Sequence, residues 1–475
     1  MTELKSAYEL ASSRIIAPKP RPEPEERSAI PEFVTDFEFP EEDEEDIRSA
    51  FIDNEEETLQ ESDPLDELDE LDEREVKNEE VAVYEPEKIT YDGSHIEVYW
   101  NGHFLDYGGF ARLNRTMVFG LADRNVYVNP EIEPYASQVN QATHDQLLKL
   151  AEVEIADDAP KVFGATVPLS MNHAGRKIAY TMIESSDKIH KDYAERLNLF
   201  DEIWVATEYG KQIMQASDVH PKIHVMPLGV DIERYKPSVA KHSLGIQTRK
   251  FVFLSVFRWS YRKGFDILLR AFMEEFSNDD DVSLLLVSRP VTLLGEGGVN
   301  SMVDDFKGIR SGINKAEDDM PHVALYHKDI REKKMPDLYN SAHAFVLPSR
   351  GEGFGLPYVE AAASGLPVIA TNCSGQSDFL TPENSFLVEP DGYVVAKKTG
   401  TMARMAKLCH FYEDQIFPNL GEKSLEQLRA QMRYVYDNYS EAKERAKLLR
   451  RKIINNYTWK KSVDRVYTRL LELSR

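Results

Sequence analysis

Only two of the 475 residues are cysteine, Cys373 and Cys409, so no disulfide framework organises this chain. Such sparing use of thiols fits a reducing, cytoplasmic setting. Nowhere do 18 apolar residues run together, and the first residues lack the apolar core of a signal peptide. A membrane-spanning segment is therefore not expected, and only peripheral membrane contact stays open. Basic residues are also short, with 57 Lys and Arg against 82 Asp and Glu and a formal net charge of −25. A basic surface for nucleic acid is missing. The deficit is local, however. Residues 1–90 hold 31 acids and 9 bases, a net of −22, whereas residues 91–475 hold 51 acids and 48 bases, a net of −3.

What is there falls into four parts. Residues 1–90 are proline-punctuated and acidic, with Glu41-Glu42-Asp43-Glu44-Glu45-Asp46 at the centre. Leu65 to Glu73 repeats Leu-Asp-Glu three times, a period that matches neither a heptad nor a strand. Such a segment buries too little apolar surface to offset chain entropy, and a disordered tail is expected. It serves either as a solvating tail or as a protein-docking segment anchored by Phe33, Phe37, Phe39 and Phe51.

From Ser94 onward short apolar strands alternate with helical stretches. Ile96–Trp100, Asn125–Val128, Lys161–Gly164, Lys177–Glu184, Glu202–Thr207 and Ile223–Met226 read as one set of strands. After a turn-rich connector, Pro227 to Pro237, a second set follows at Phe251–Val256, Val282–Val287, Val323–Tyr326, Ala344–Leu347 and Leu366–Ala370. This alternation predicts an α/β protein with two Rossmann-like, doubly wound domains facing a cleft. We place the first domain at 91–235, the second at 236–455, and a C-terminal helix crossing back to the first at 456–475.

The densest chemistry lies at 348–360. There a strand runs into Pro348-Ser349-Arg350-Gly351-Glu352-Gly353-Phe354-Gly355-Leu356-Pro357 and then a helix carrying Glu360. A glycine loop from the carboxyl end of a strand to a helix N-terminus is a ready anion site. Two carboxylates at its edges accept hydrogen bonds from vicinal hydroxyls. Phosphate and hydroxyls together describe a nucleotide-sugar. Arg258 and Lys263 follow the first strand of the second set and supply cations for a diphosphate leaving group. Gly108-Gly109 forms a similar turn early in the first domain. Asp279-Asp280-Asp281 formally contains an Asp-x-Asp pair, but it lies in a short turn between helix and strand. No His/Cys cluster has the sequence spacing of a metal site, so neither a metal nor a cofactor is expected.

Arg258-Trp259-Ser260-Tyr261-Arg262-Lys263-Gly264 resembles the Arg-x4-Lys-Gly element of family-4 retaining glycosyltransferases (glycosyl transferases group 1), which have the two-Rossmann GT-B fold. Glu352 to Ala361 is similar to their Glu-x7-Glu signature, Pro227-Leu228-Gly229-Val230-Asp231 to their interdomain linker, and Gly375-Gln376-Ser377-Asp378 to a glycine turn that usually ends in Glu. The resemblance covers residues 94–475. It implies metal-independent transfer of a sugar from a nucleoside-diphosphate sugar with retention of configuration. The acceptor, whether glycan, lipid, protein or small molecule, stays open, as do base and sugar. By the same resemblance Arg258 and Lys263 hold the diphosphate, Glu360 the ribose and Glu352 the transferred sugar. Backbone at Phe354, Gly355 and Leu356 contacts sugar and phosphate, Gly109 gives the diphosphate room, and the loop at Lys328-Asp329-Ile330 faces the base. His173 and Glu184 are the first-domain candidates for contact with sugar or acceptor. A nucleotide-sugar epimerase or phosphorylase shares the fold and is the rival enzyme reading. A non-catalytic scaffold working through the acidic tail is the other.

Overall fold

A computed structural model describes residues 96–132, 137–165, 173–238, 246–290, 298–328, 330–399 and 402–474. The acidic stretch 1–90 and Asp329 lie outside the described residues. In chain order the first half runs β1 (Glu97–Gly102), α1 (Gly109–Ala122), β2 (Tyr127–Ile132), α2 (Gln141–Ala151), β3 (Lys161–Gly164), β4 (Lys177–Thr181), α3 (Lys191–Leu197), β5 (Glu202–Val205), α4 (Glu208–Gln215) and β6 (Lys222–Val225). The second runs β7 (Phe251–Trp259), α5 (Phe265–Glu275), β8 (Val282–Pro290), α6 (Gly298–Ser311), β9 (His322–Tyr326), α7 (Met335–Asn340), β10 (Ala344–Leu347), α8 (Leu356–Ala363), β11 (Val368–Thr371) and β12 (Phe386–Val388). It continues through β13 (Tyr393–Val395), α9 (Ala403–Leu408), β14 (Ile416–Pro418), α10 (Glu422–Asp437), α11 (Tyr439–Asn456) and α12 (Trp459–Leu473).

Each half is built on a parallel six-stranded sheet, in the orders β2-β1-β3-β4-β5-β6 and β12-β11-β10-β7-β8-β9. The central strands β3, β5 and β10 are buried throughout, because crossover helices cover both faces of a parallel sheet. Strand order reverses between β1 and β3 in one sheet and between β7 and β10 in the other. A crevice opens beyond the carboxyl ends of the strands at such a reversal. The loops that leave β1, β7 and β10 carry the Gly108-Gly109, Arg262-Lys263 and Gly351–Gly355 stretches. Topology therefore gathers the three motifs.

Strands β2, β4 and β7 are among those whose bounds differ from the sequence-predicted ones. Strand β2 starts later, at Tyr127, because Asn125 takes a positive φ of 58° to close the turn after α1. Pro130 sits inside β2, which is tolerated because β2 is an edge strand. Strand β4 stops at Thr181, leaving Glu184 on the loop beyond it. Strand β7 runs on to Trp259, whose indole stacks on Phe265 with ring centroids 4.3 Å apart.

Helix α12 packs on the first half although it follows the second. Its Val463 lies against Gly120 of α1, where a methyl would collide. Asp464 accepts from Arg124, with an ion pair of 2.5 Å. Arg469 pairs with Glu202 of β5 at 2.6 Å. The chain thus crosses between halves twice, and the crossings touch. Val230 N–H donates to Tyr457 O at 2.9 Å, and Val230 and Thr458 form an isolated parallel bridge.

Candidate functional site

Ser349 to Gly355 leaves β10 and turns into α8 at Gly355, whose φ of 98° is one that residues with a Cβ rarely adopt. Gly351 has a different reason to lack a side chain. A methyl there would strike the carbonyl oxygen of Glu184, which belongs to the first half. The glycine loop is therefore pressed directly against the loop after β4, and the two halves meet at this point.

That junction is a chain of alternating charges. Glu352 is buried, and its carboxylate accepts from Lys263 Nζ at 2.5 Å and from Ser349 Oγ at 2.7 Å. Arg262 stands 3.5 Å from Glu352 and 3.0 Å from Glu184, and it also donates to Gly351 O. Glu184 accepts from the hydroxyl of Tyr412. Burial pushes the Glu352 carboxyl up, but Lys263 and Arg262 outweigh it and hold the group below its ordinary value. For Glu184 burial wins, and its carboxyl is raised despite Arg262. Burial likewise lowers the Lys263 ammonium in spite of Glu352. Arg262 Nε is buried with no hydrogen-bond partner among the described residues. A buried donor left open is costly unless a ligand completes it.

The second carboxylate, Glu360, projects from α8 and is 3 % exposed. It accepts from Tyr339 OH at 2.7 Å and from Arg112 of α1. Arg112 also stands 4.0 Å from Glu332, so an arginine of the first half spans two acids of the second. Asp378 makes a third contact across the seam: it accepts from the N–H groups of Glu208 and Tyr209 at 2.7 and 3.2 Å. A carboxylate at the N-terminus of α4 interacts favourably with the helix dipole. The residue that stands in place of the usual Glu thus caps a helix of the other half.

Not every residue singled out in the sequence lies in this cluster. Lys263, Glu352, Glu360 and Glu184 lie in it, and Gly109 faces Leu356 across the seam, with room for a methyl at an ordinary 3.7 Å. Phe354 is buried against Phe379, and Leu356 opens α8. Ile330 follows β9 and packs on the core. Arg258 is displaced. Because β7 continues to Trp259, strand alternation buries Phe257 and Trp259 and leaves Arg258 exposed. It has no ion pair to a described residue, and Arg262 fills the position beside Glu352 instead. His173 also falls outside. It precedes β4, shares a hydrogen bond of 2.6 Å with Ala159 O just before β3, and packs edge-on to Tyr99. That is the amino end of the sheet, opposite the glycine loops. The Asp279–Asp281 turn precedes β8, and Asp280 pairs with Arg433 at 2.9 Å.

Arg112, Arg262, Tyr339 and Tyr412 carry no spacing signature that a single sequence displays. Asn114 belongs with them. It is fully buried in α1, accepts from Trp100 Nε1 at 2.9 Å and donates to Gly164 O at 2.9 Å, which fixes α1 across the β1/β3 reversal.

Known proteins share this fold. The family model described as glycosyl transferases group 1 matches residues 248–409. A GDP-mannose-dependent monoacylated alpha-(1-6)-phosphatidylinositol monomannoside mannosyltransferase of Corynebacterium glutamicum is 24% identical over 242 residues, 48% of this chain and 58% of the relative. A D-inositol 3-phosphate glycosyltransferase of an Arthrobacter species is 34% identical over 158 residues, 33% of this chain and 35% of the relative. The chain thus spans between about a third and three-fifths of these relatives. Among solved structures, a sucrose-phosphate synthase from Thermosynechococcus elongatus superposes with a TM-score of 0.58 at 15% identity, over 80% of this chain and 99% of that one. A glycosyltransferase from Rickettsia africae gives 0.54 at 14% identity, over 81% and 100%. The chain has the GT-B fold, and its residues 248–409 are similar to the glycosyl transferases group 1.

Proposed function

We propose that this protein transfers a sugar from a nucleoside-diphosphate sugar to an acceptor hydroxyl, with retention of configuration and without a metal. One observation carries the reading: Lys263, Arg262, Glu352 and Glu360 converge on glycine loops where the two strand-order reversals face each other. Cations beside a loop rich in backbone N–H groups suit a diphosphate, and the two carboxylates suit sugar and ribose hydroxyls. As the anomeric C–O bond breaks, its electron pair goes to the phosphate oxygen. Lys263 and Arg262 take up the charge that builds there, in a setting that excludes water. The acceptor oxygen bonds to the anomeric carbon on the face the diphosphate leaves, and its proton passes to the departing phosphate. No protein nucleophile is required. Glu184, on the first-half side beside Arg262, would meet the acceptor or the transferred sugar.

The relatives' names guide the choice of substrates. A panel of UDP-, ADP- and GDP-sugars, GDP-mannose included, tests the donor by thermal shift and by turnover, with inositol phosphates among the acceptors. One donor class should raise the melting temperature, and Glu360→Ala should abolish that rise. If no sugar nucleotide binds or turns over, the reading is wrong.

A further inference from the structure

A second constellation spans the seam away from the glycine loops. His190 caps α3, Asp192 lies in its first turn, and His410 comes from the 3-10 turn His410–Tyr412 of the second half. One carboxylate oxygen of Asp192 stands 4.0 Å from His190 Nδ1 and 3.7 Å from His410 Nε2. The two imidazole centroids are 5.1 Å apart, and one ligand atom from each of the three residues lies within 4.8 Å of the others. Among the described residues no other three His, Cys, Asp or Glu side chains meet this way. Sequence spacing did not show it because His410 comes from the other half of the chain.

We infer that His190, Asp192 and His410 form a site for a borderline-soft divalent cation of the zinc class, which clasps the two halves together. Two imidazoles and one carboxylate with an open fourth position is a donor set that zinc favours over magnesium or calcium. Bonds of about 2.0–2.2 Å at tetrahedral angles put ligand atoms about 3.4 Å apart, so the present spacings close on a metal by small side-chain shifts. Asp192 and His410 are more than half exposed and His190 is partly so, which lets an ion enter and the rings adjust. The competing bond is modest: His190 Nδ1 accepts from Asp192 N–H at 3.2 Å, at the long end of the range. Beside the site, a cavity of about 30 Å³ is lined by Glu184, His190, Tyr193, Cys409 and Tyr412. The clasp therefore borders the loop that carries Glu184. Its three ligands are not among the residues proposed to hold the sugar nucleotide, and it supplies no step of the transfer.

The test is zinc titration of the metal-free full chain by calorimetry and thermal shift, with no sugar nucleotide present, so that its failure is distinct from failure of the transferase reading. One equivalent of zinc should bind and raise the melting temperature, and magnesium should do neither. His410→Ala and Asp192→Asn should each weaken that equivalent about tenfold or more, and the exposed His220→Ala should leave it unchanged. Because His410 is 60 % exposed, its loss disturbs no core. Zinc should also slow hydrogen exchange in the peptide containing Ser186, whose N–H donates to Ile416 O at 2.8 Å across the same seam. Absence of a zinc equivalent, binding that survives both ligand substitutions, or binding that leaves the Ser186 peptide unprotected would overturn the clasp.

Discussion

At the scale of single residues, the site turns on which arginine faces Glu352. The Arg-x4-Lys spacing pointed to Arg258, but strand alternation through Trp259 turns Arg258 outward, and Arg262 sits 3.5 Å from Glu352. Arg262→Ala should therefore cost more in kcat than Arg258→Ala, and Lys263→Ala should lower turnover about 10²–10³-fold, as losing one stabilising donor does. Steady-state kinetics on the preferred donor checks all three. Glu184 and Glu352 also make opposite statements about pH. The carboxyl of Glu352 is held low in the fold, so its contribution is present above the unfolded value of about 4.3 and is lost as pH falls through the folded one. That of Glu184 is raised, so its contribution is complete below about 4.3 and disappears as pH rises through the folded value. The melting temperature of Glu184→Gln relative to the parent should accordingly climb between acid and neutral pH. A flat difference across that window would show that Glu184 titrates normally.

At the scale of elements, much was legible. The spans 161–164 and 344–347 match the observed strands. Short apolar runs between turn residues identify buried parallel strands well. Local pattern is silent on which loop ends face each other, since that depends on strand order. Hence Glu352 and Lys263 were readable, whereas Arg112 and Tyr412, which reach the cluster only through tertiary contact, were not. The position of His173 was not readable for the same reason, because a loop position does not say which end of the sheet it occupies. Helix α12 offers a quantitative check. Its Arg469 holds Glu202, a residue 1 % exposed that also accepts from Trp204 Nε1 at 2.6 Å. Removing one partner of a buried pair leaves the other charge uncompensated, so Arg469→Ala should destabilise the protein by about 3–5 kcal/mol in urea denaturation. Surface ion pairs such as Lys191–Glu195 should give no measurable change when broken.

At the scale of the whole molecule, the halves are closed on each other by their own charges. Arg112 occupies Glu360, and Arg262 joins Glu352 to Glu184. A ribose that uses Glu360 competes with the Arg112 guanidinium. Arg112→Ala should tighten donor binding several-fold, and calorimetry with the preferred sugar nucleotide measures it. Weaker donor binding would instead make Arg112 a donor contact. The two chain crossings at Val230 and Thr458 bear on how the mouth opens. One linker would leave the halves free to bend and to twist. Two strands bridged side by side remove the twist, and Gly229 seats the second strand so closely that a methyl would overlap the backbone of Thr458. The motion that remains is a single bend, as in hinge closure about a few residues. Every reclosure then brings Arg262 back to the same carboxylates without a search over orientations. The geometry of this cluster is held by the pivot, whose Tyr457 packs on Phe354 of the glycine loop with ring centroids 5.9 Å apart.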